Sequence, residues 1–302
     1  MRAIVLEHYG PPSVLTLTTV ADPKPGPGEI AVRMSGASIN PIDFKQRSGV
    51  AKAWFPLEFP AILGRDASGT VVAVGAGVTA FEPGARVLGR VPGAAYAEIV
   101  VGPASGWALA PKNLDLTEAG ALPLVALTGA QLVEEGVDAR AGETILVTGA
   151  TGSVGRVAVF VARAHGAKVY AGVRTNQKAE AEKLGVAGVV AIDDDADIER
   201  LPALDGIADT VGGPTIQKLL PKVKVGGKIG SVLGEPAGAK ERGLAVKGIL
   251  AHDDARRLGE LAQAVAEGRL IIPIARRFPL AEAAAAHELA EKGAGGKVLL
   301  IG

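Results

Sequence analysis

The sequence predicts an α/β chain of two domains, a barrel of short strands and a doubly wound parallel sheet. Three observations predict this. Residues 1 to about 118 carry short apolar or alternating runs broken by Gly and Pro turns. From Thr144 onward, β-branched runs alternate with helix-like stretches across short loops, the pattern of βα units. After about residue 252 that alternation stops, and the chain ends on an apolar run. The expected division is therefore 1–118 with 253–302, and 119–252. The tail is expected to pack back on the first domain, leaving a cleft between two lobes, where small-molecule sites are favoured.

The elements follow in order. Residues 3–6, 14–17, 30–34 and 68–74 read as strands. Pro11-Pro12, the Pro- and Gly-rich stretch 23–28, Gly75-Ala76-Gly77 and Pro83-Gly84 supply the turns. Many short strands with such turns suggest a closed or partly closed barrel. Thr117 and Glu118 open a helix, and 125–135 reads as another. Strands are expected at 144–148, 168–173, 189–192, 206–209 and 227–232, with helices at 153–165, 175–184 and 214–223. Gly166 and Gly185 stand where helix C-caps belong. Apolar spacing gives helices at 253–267 and 281–292, and 297–301 is a closing strand.

The run from Thr144 to Thr148 leads straight into Gly149, Ala150, Thr151, Gly152, Ser153, Val154 and Gly155, and then into an apolar helix. Strand, glycine turn and helix start form a dinucleotide-binding crossover. Gly149 allows the tight turn, Gly152 lets the backbone approach a pyrophosphate, and Gly155 lets the helix pack close. The helix N-terminus supplies unpaired N–H groups for the phosphates. The next strand ends at Arg174. An acid there would bind the ribose 2′-hydroxyl of NAD, whereas an arginine pairs with the 2′-phosphate of NADP. Thr175 and Lys178 follow, and no acid occurs between Lys168 and Ala179. The expected cofactor is NADPH. The other reading of Arg174 and Lys178 is a pair of solvated surface charges.

Composition narrows the classes. The 32 basic and 32 acidic residues cancel, so no global field draws in nucleic acid or an anionic membrane. The chain has no cysteine, which excludes disulfides, thiol nucleophiles and thiolate metal sites. Glu7 interrupts what a signal peptide needs as an apolar core, and no run is long enough to span a membrane. The expectation is a cytoplasmic protein.

With these residues in view, the chain resembles the medium-chain dehydrogenase/reductase superfamily, in its zinc-free quinone and enone reductase branch. Asn40-Pro41-Ile42-Asp43 resembles that branch's Asn-Pro-x-Asp segment. Residues 60–75, from Pro60 through Gly64, Asp66 and Gly69 to Gly75, resemble its Pro-x-x-x-Gly-x-Asp-x-x-Gly signature. Ala121-Leu122-Pro123 through Thr128, Asp209-Thr210-Val211-Gly212-Gly213, Gly226-Gly227-Lys228 and Gly296-Lys297-Val298 complete the set. The resemblance implies a GroES-like β-barrel catalytic domain, a Rossmann domain and a homodimer. It also implies that Thr128, Val211, Ser231, Leu233 and Lys297 join the glycine loop around the cofactor.

The resemblance puts Asn40 and Arg65 where zinc-dependent relatives carry cysteine and histidine ligands, and a cation at Arg65 repels a metal. His8, His165, His252 and His287 form no close pair in sequence. Without a Lewis acid, an electron-poor C=C or a quinone is a better acceptor than an unactivated alcohol is a donor. Asn40 and Lys45 are the candidate catalytic groups. Asn40 would donate to the substrate oxygen, or else form an Asx turn before Pro41. Lys45 would polarise a carbonyl, contact a cofactor phosphate, or remain a solvated loop charge. Phe44, Trp54, Phe55 and Phe59 line a substrate pocket or pack in the core. Three alternatives stay open: quinone reduction alone, a non-catalytic NADPH-binding protein of crystallin type, and an RNA-binding relative, which the zero net charge disfavours. A short-chain dehydrogenase is discounted, because none of Tyr9, Tyr96 and Tyr170 has Lys four positions later.

Overall fold

The computed structural model describes residues 1–302. They form two compact units, residues 1–124 with 253–302, and residues 125–252. The first unit begins with β1 (Arg2–Leu6), β2 (Thr16–Thr19), β3 (Glu29–Ser38), α1 (Pro41–Ser48), β4 (Ala61–Ile62), β5 (Asp66–Val74), β6 (Arg86–Arg90), β7 (Ile99–Pro103), β8 (Trp107–Leu109) and α2 (Leu116–Ala119). The chain changes unit within α3 (Pro123–Gln131). The expected boundary at 118 falls short because α2 packs on β3, β5 and β6 of the first unit.

The second unit holds β9 (Thr144–Thr148), α4 (Ser153–Ala164), β10 (Lys168–Val173), α5 (Lys178–Glu182), β11 (Gly188–Ala191), α6 (Asp195–Glu199), β12 (Leu204–Asp209), α7 (Gly213–Leu219), β13 (Val223–Ser231) and β14 (Ala245–Gly248). The chain then returns to the first unit with α8 (Ala255–Ala266), β15 (Ile274–Pro279), α9 (Ala283–Glu291) and β16 (Lys297–Ile301).

In the first unit the long β3 organises the sheet. It pairs antiparallel with β5 along most of its length, with β7 near its start and with β16 near its end. The sheet order is β15-β16-β3-β5-β6-β8, and a second, three-stranded sheet runs β2-β1-β4. Ile30, Val32, Val87, Val100, Trp107, Val298 and Leu300 fill the core. The strand expected at 14–17 starts later. Pro11 and Pro12 lead into a short 3-10 turn, so the strand begins at Thr16.

In the second unit all neighbouring strands are parallel, in the order β11-β10-β9-β12-β13-β14. β9 is central and buried on both faces, which explains its unbroken apolar run. α4 ends as expected, with Gly166 in the left-handed region just past its cap. The helix expected at 175–184 is shorter and begins as a 3-10 turn. β14 and β15 lie outside the expected strands.

One departure is structural. The helix expected to run to 135 turns π-helical over Leu132–Val137. This segment lies directly on β13. A Cβ on Gly230 would sit 2.8 Å from Gly136 Cα and 2.9 Å from the Leu132 carbonyl oxygen. Only two glycines let helix and strand backbones approach so closely. Gly230→Ala should therefore destabilise the second unit by about 1–3 kcal/mol through overpacking, read as a lower urea midpoint. An unchanged midpoint would mean the helix can withdraw without loss.

Candidate active site

In the second unit the strand order reverses between β9 and β12. A crevice at the carboxyl ends of the strands follows from that reversal, and it is where such sheets bind ligands. The glycine loop lies there. Gly149 has φ +63, and a Cβ on it would meet Thr210 Oγ1 at 2.4 Å. Gly155 carries helix packing, since its Cβ would lie 2.1 Å from the Gly149 carbonyl oxygen. Gly152 is different. It is exposed, and a Cβ there would touch only the Gly149 oxygen, at 3.2 Å. The space beyond it is clear of protein.

Gly152 is the N-cap of α4 and no side chain caps the helix. The first helical bond is Arg156 N–H to the Gly152 carbonyl. Ser153, Val154 and Gly155 therefore present N–H groups with no protein acceptor, at the positive end of the helix dipole. Ala150 and Thr151 are buried, and the Ala150 N–H is committed to the Gly172 carbonyl. They shape the loop from within. These features fit a dinucleotide pyrophosphate.

Asp209 fixes the neighbouring strand ends. It is buried at the end of β12. Its Oδ1 accepts from Thr148 Oγ1 at 2.7 Å and from the Val211 and Gly212 N–H groups at 3.1 and 3.0 Å. Its Oδ2 accepts from Ser231 Oγ at 3.0 Å. Ser231 Oγ in turn accepts from the Leu233 N–H. Ser231, expected on the cofactor, thus points inward and positions the Leu233 turn. Val211 and Leu233 leave apolar side chains exposed, Val211 against Gly149 and Leu233 against Gly212. Thr128 is half-buried on α3.

The end of β10 is more constrained than its sequence suggests. Arg174 is exposed. Thr175, however, donates both its N–H and its hydroxyl to Asp193 Oδ1, each at 2.8 Å. Lys178 is paired with Asp197 at 2.9 Å. The segment 168–179 has no acid, but the turn after β11 brings Asp193 to it and α6 brings Asp197. Of the three residues expected to grip a 2′-phosphate, only Arg174 stands clear.

In the first unit, Asn40 and Lys297 take roles other than the expected ones. Asn40 is 2% exposed. Its amide nitrogen donates to Asp66 Oδ2 at 2.8 Å, and its carbonyl accepts from Lys297 Nζ at 2.7 Å. Lys297 Nζ also donates to the Ile39 carbonyl and lies 3.8 Å from Asp66. Burial lowers the Lys297 pKa, against the pull of Asp66 and Asp43. Lys297 is therefore an internal counter-ion and not an open cofactor ligand, and Asn40 holds the network together instead of facing a substrate. Asp66 Oδ1 accepts from the Leu124 N–H. Lys45, by contrast, is exposed on α1.

Asp43 lies fully buried under this network. Its Oδ2 accepts from the Asn40 N–H and from Tyr96 Oη at 2.8 and 2.9 Å, while Oδ1 has no partner. Burial, above all, raises its pKa to about 6. Beside Tyr96, the buried His287 is pushed down to about 3 by burial and by Arg47, which donates to its Nδ1.

Two features carry more than their sequence signal. Asp209 lies in the quoted Asp-Thr-Val-Gly-Gly segment, yet nothing local reveals that it ties three strand ends. Arg65 reads in the sequence only as a cation where a metal ligand would be. It is half-buried, its guanidinium stacks 5.4 Å over the Phe55 ring, and its Nε is buried without a partner. No three His, Asp or Glu side chains cluster as a metal site.

Asp43 gives the unit a measurable pH signature. A carboxyl that titrates at about 6 in the folded state and 3.8 in an unstructured peptide is costly only when ionised. The cost, about 3 kcal/mol, is absent below pH 4 and complete above pH 6. His287 works on the same scale, its contribution falling away as pH drops from 6.5 toward 3, but it is common to parent and variant. The stability of Asp43→Asn relative to the parent should therefore rise between pH 4 and pH 7, by up to about 3 kcal/mol. Urea melts across that range read it directly, and a pH-independent gap would mean Asp43 is not the buried charge.

Comparison with known proteins agrees with this architecture. Residues 26–112 match the family described as alcohol dehydrogenase GroES-like domain, and residues 184–300 the family described as zinc-binding dehydrogenase. The chain is 31% identical to a 2-haloacrylate reductase from a Burkholderia species, covering 95% of each chain. It is 32% identical to a quinone oxidoreductase from Pseudomonas aeruginosa, covering 99% of each. The solved structure of Escherichia coli quinone oxidoreductase complexed with NADPH superposes with a TM-score of 0.87 at 27% identity, over 100% of both chains. A GroES-like unit of largely antiparallel strands, a parallel sheet whose order reverses at a glycine loop, and full-length likeness to these oxidoreductases make the chain a member of the medium-chain dehydrogenase/reductase superfamily, in the zinc-free branch of the quinone oxidoreductases.

Proposed function

We propose that the chain is an NADPH-dependent, zinc-independent oxidoreductase acting on an electron-poor acceptor, either an α,β-unsaturated carbonyl or a quinone. The observation that carries this reading is the uncapped N-terminus of α4 at the reversal of strand order. Ser153, Val154 and Gly155 would hold the pyrophosphate there through backbone N–H groups, with Gly152 clearing its approach. Val211 and Leu233 would flank the nicotinamide, held in place by Asp209 through Ser231, with Thr128 nearby in the family pattern. When bound, the reduced nicotinamide supplies the hydride. The resemblance further implies a homodimer acting on a small molecule, without nucleic acid or membrane partners. No helix is long and apolar enough to cross a membrane.

NADPH is preferred over NADH in this reading because Arg174 is an exposed cation at the end of β10, and because the Escherichia coli relative was solved with NADPH. Asp193 works against that preference, since its carboxylate holds the Thr175 hydroxyl proton. Arg174→Ala should weaken NADPH binding by about tenfold or more, the scale of one charge-assisted hydrogen bond, while sparing NADH. Asp193→Asn should tighten NADPH and leave NADH nearly unaffected. Fluorescence titration of both cofactors reads these changes, and equal affinity of the parent for the two would sink the NADPH assignment.

On the acceptor side, Lys45 is an exposed donor on α1 of the first unit. For an enone, hydride addition at the β-carbon drives electron density onto the carbonyl oxygen. A donor there stabilises the transition state more than the ground state. Lys45→Met should lower the rate on an enone such as cyclohexenone by roughly tenfold or more, with little change in NADPH affinity. If NADPH affinity collapses while the rate at saturation is kept, Lys45 belongs to the cofactor.

A further inference from the structure

The Arg65 side chain makes no hydrogen bond and no ion pair. Asp43 and Asp66 act on it only through space, and Arg90, a cation that repels it, is itself paired with Asp253 at 2.6 Å. Phe55 covers one face of the guanidinium. A cation–π contact engages that face and leaves the in-plane N–H donors free. Nε is buried and unsatisfied, whereas the two Nη nitrogens reach solvent. A half-buried, unpaired guanidinium is costly to maintain, because its desolvated donors have lost water without gaining an acceptor.

We propose that Arg65 is a carboxylate-binding residue that selects an anionic acceptor, an α,β-unsaturated carboxylic acid. This rests on the reading above that the chain reduces electron-poor acceptors. The two coplanar Nη nitrogens, which reach solvent, match a carboxylate bidentately, whereas an ammonium would offer only a point charge. The through-space field of Asp43 and Asp66 favours a singly charged carboxylate over a doubly charged phosphate.

The chemistry gives the guanidinium a second role. An ionised acid is a poor hydride acceptor because its charge already enriches the conjugated system. Hydride from the nicotinamide forms the new C–H bond at the β-carbon. The π pair of the C=C bond moves toward the carboxylate, which acquires enediolate character, and the α-carbon then takes a proton from water. The product is the saturated acid. A bidentate guanidinium neutralises the acid before addition and stabilises the extra charge during it.

The experiment compares 2-chloroacrylate with its methyl ester in the parent, Arg65→Gln and Arg65→Lys, with melting temperatures measured alongside. Binding of the saturated acid 2-chloropropionate to the cofactor-free chain is followed by calorimetry. In the parent, kcat/KM should favour the acid. Arg65→Gln should lower the acid's value by about tenfold or more and the ester's by much less, and it should abolish 2-chloropropionate binding. Arg65→Lys should recover only part of the acid's rate, and it decides the matter if Arg65→Gln does not fold. Equal losses for acid and ester, or 2-chloropropionate binding untouched by Arg65→Gln, would overturn the assignment. If acid, ester and benzoquinone all leave NADPH unoxidised, the oxidoreductase reading fails on its own. The binding arm then still decides whether Arg65 holds a carboxylate.

Discussion

Asp209 ends β12 with a carboxylate buried among donors from three adjacent strand ends, those of β9, β12 and β13. A buried charge is tolerable only when it is hydrogen-bonded on every side. That requirement sets the geometry of the second unit. It fixes Thr148 immediately before the glycine loop, turns the chain sharply at Gly212, which has φ +66, and hangs the Leu233 turn from Ser231. The open helix N-terminus is thereby carried on a rigid frame, as a site built on strand ends must be.

The first unit uses the same device with opposite charges. Asp66, Asn40 and Lys297 join β5, the start of α1 and β16 around one buried ion pair whose ends are bridged by an amide. Beside it, Asp43 and Tyr96 make a second polar layer within a core of Ile, Val and Trp side chains. Such interiors gain little net stability from their charges. They do restrict the backbone to the one arrangement in which every donor is matched, which holds α1 and its exposed Lys45 in a single register.

Much of this was legible in the sequence. β9 and its glycine loop announce themselves because strand, turn and helix signals lie within one short stretch. The strands at 168–173 and 297–301 carry dense β-branched or aliphatic runs, and they appear where expected. The site was harder to read. Thr175 and Lys178 look free until the turn after β11 delivers Asp193 and α6 delivers Asp197 to them. Lys297, expected on the cofactor, is buried once β16 pairs with β3. Each of these outcomes depends on partners far along the chain, and periodicity reports only on neighbours. The short, weakly apolar β14 gives no local signal either, since it is defined by pairing with β13.

The first unit is discontinuous, with the whole second unit inserted between Leu124 and Asp253. A ribosome releases the chain from one end only. Lys297 follows Asn40 by 257 residues, which is roughly 10–50 s of synthesis at ordinary elongation rates. During that interval the second unit can complete its six parallel strands, while β3 presents an unpaired edge and Asp66 lacks its cation. The nascent first unit is thus an open-edged intermediate with an unmatched carboxylate at Asp66, and its closure is timed by the arrival of the last strand.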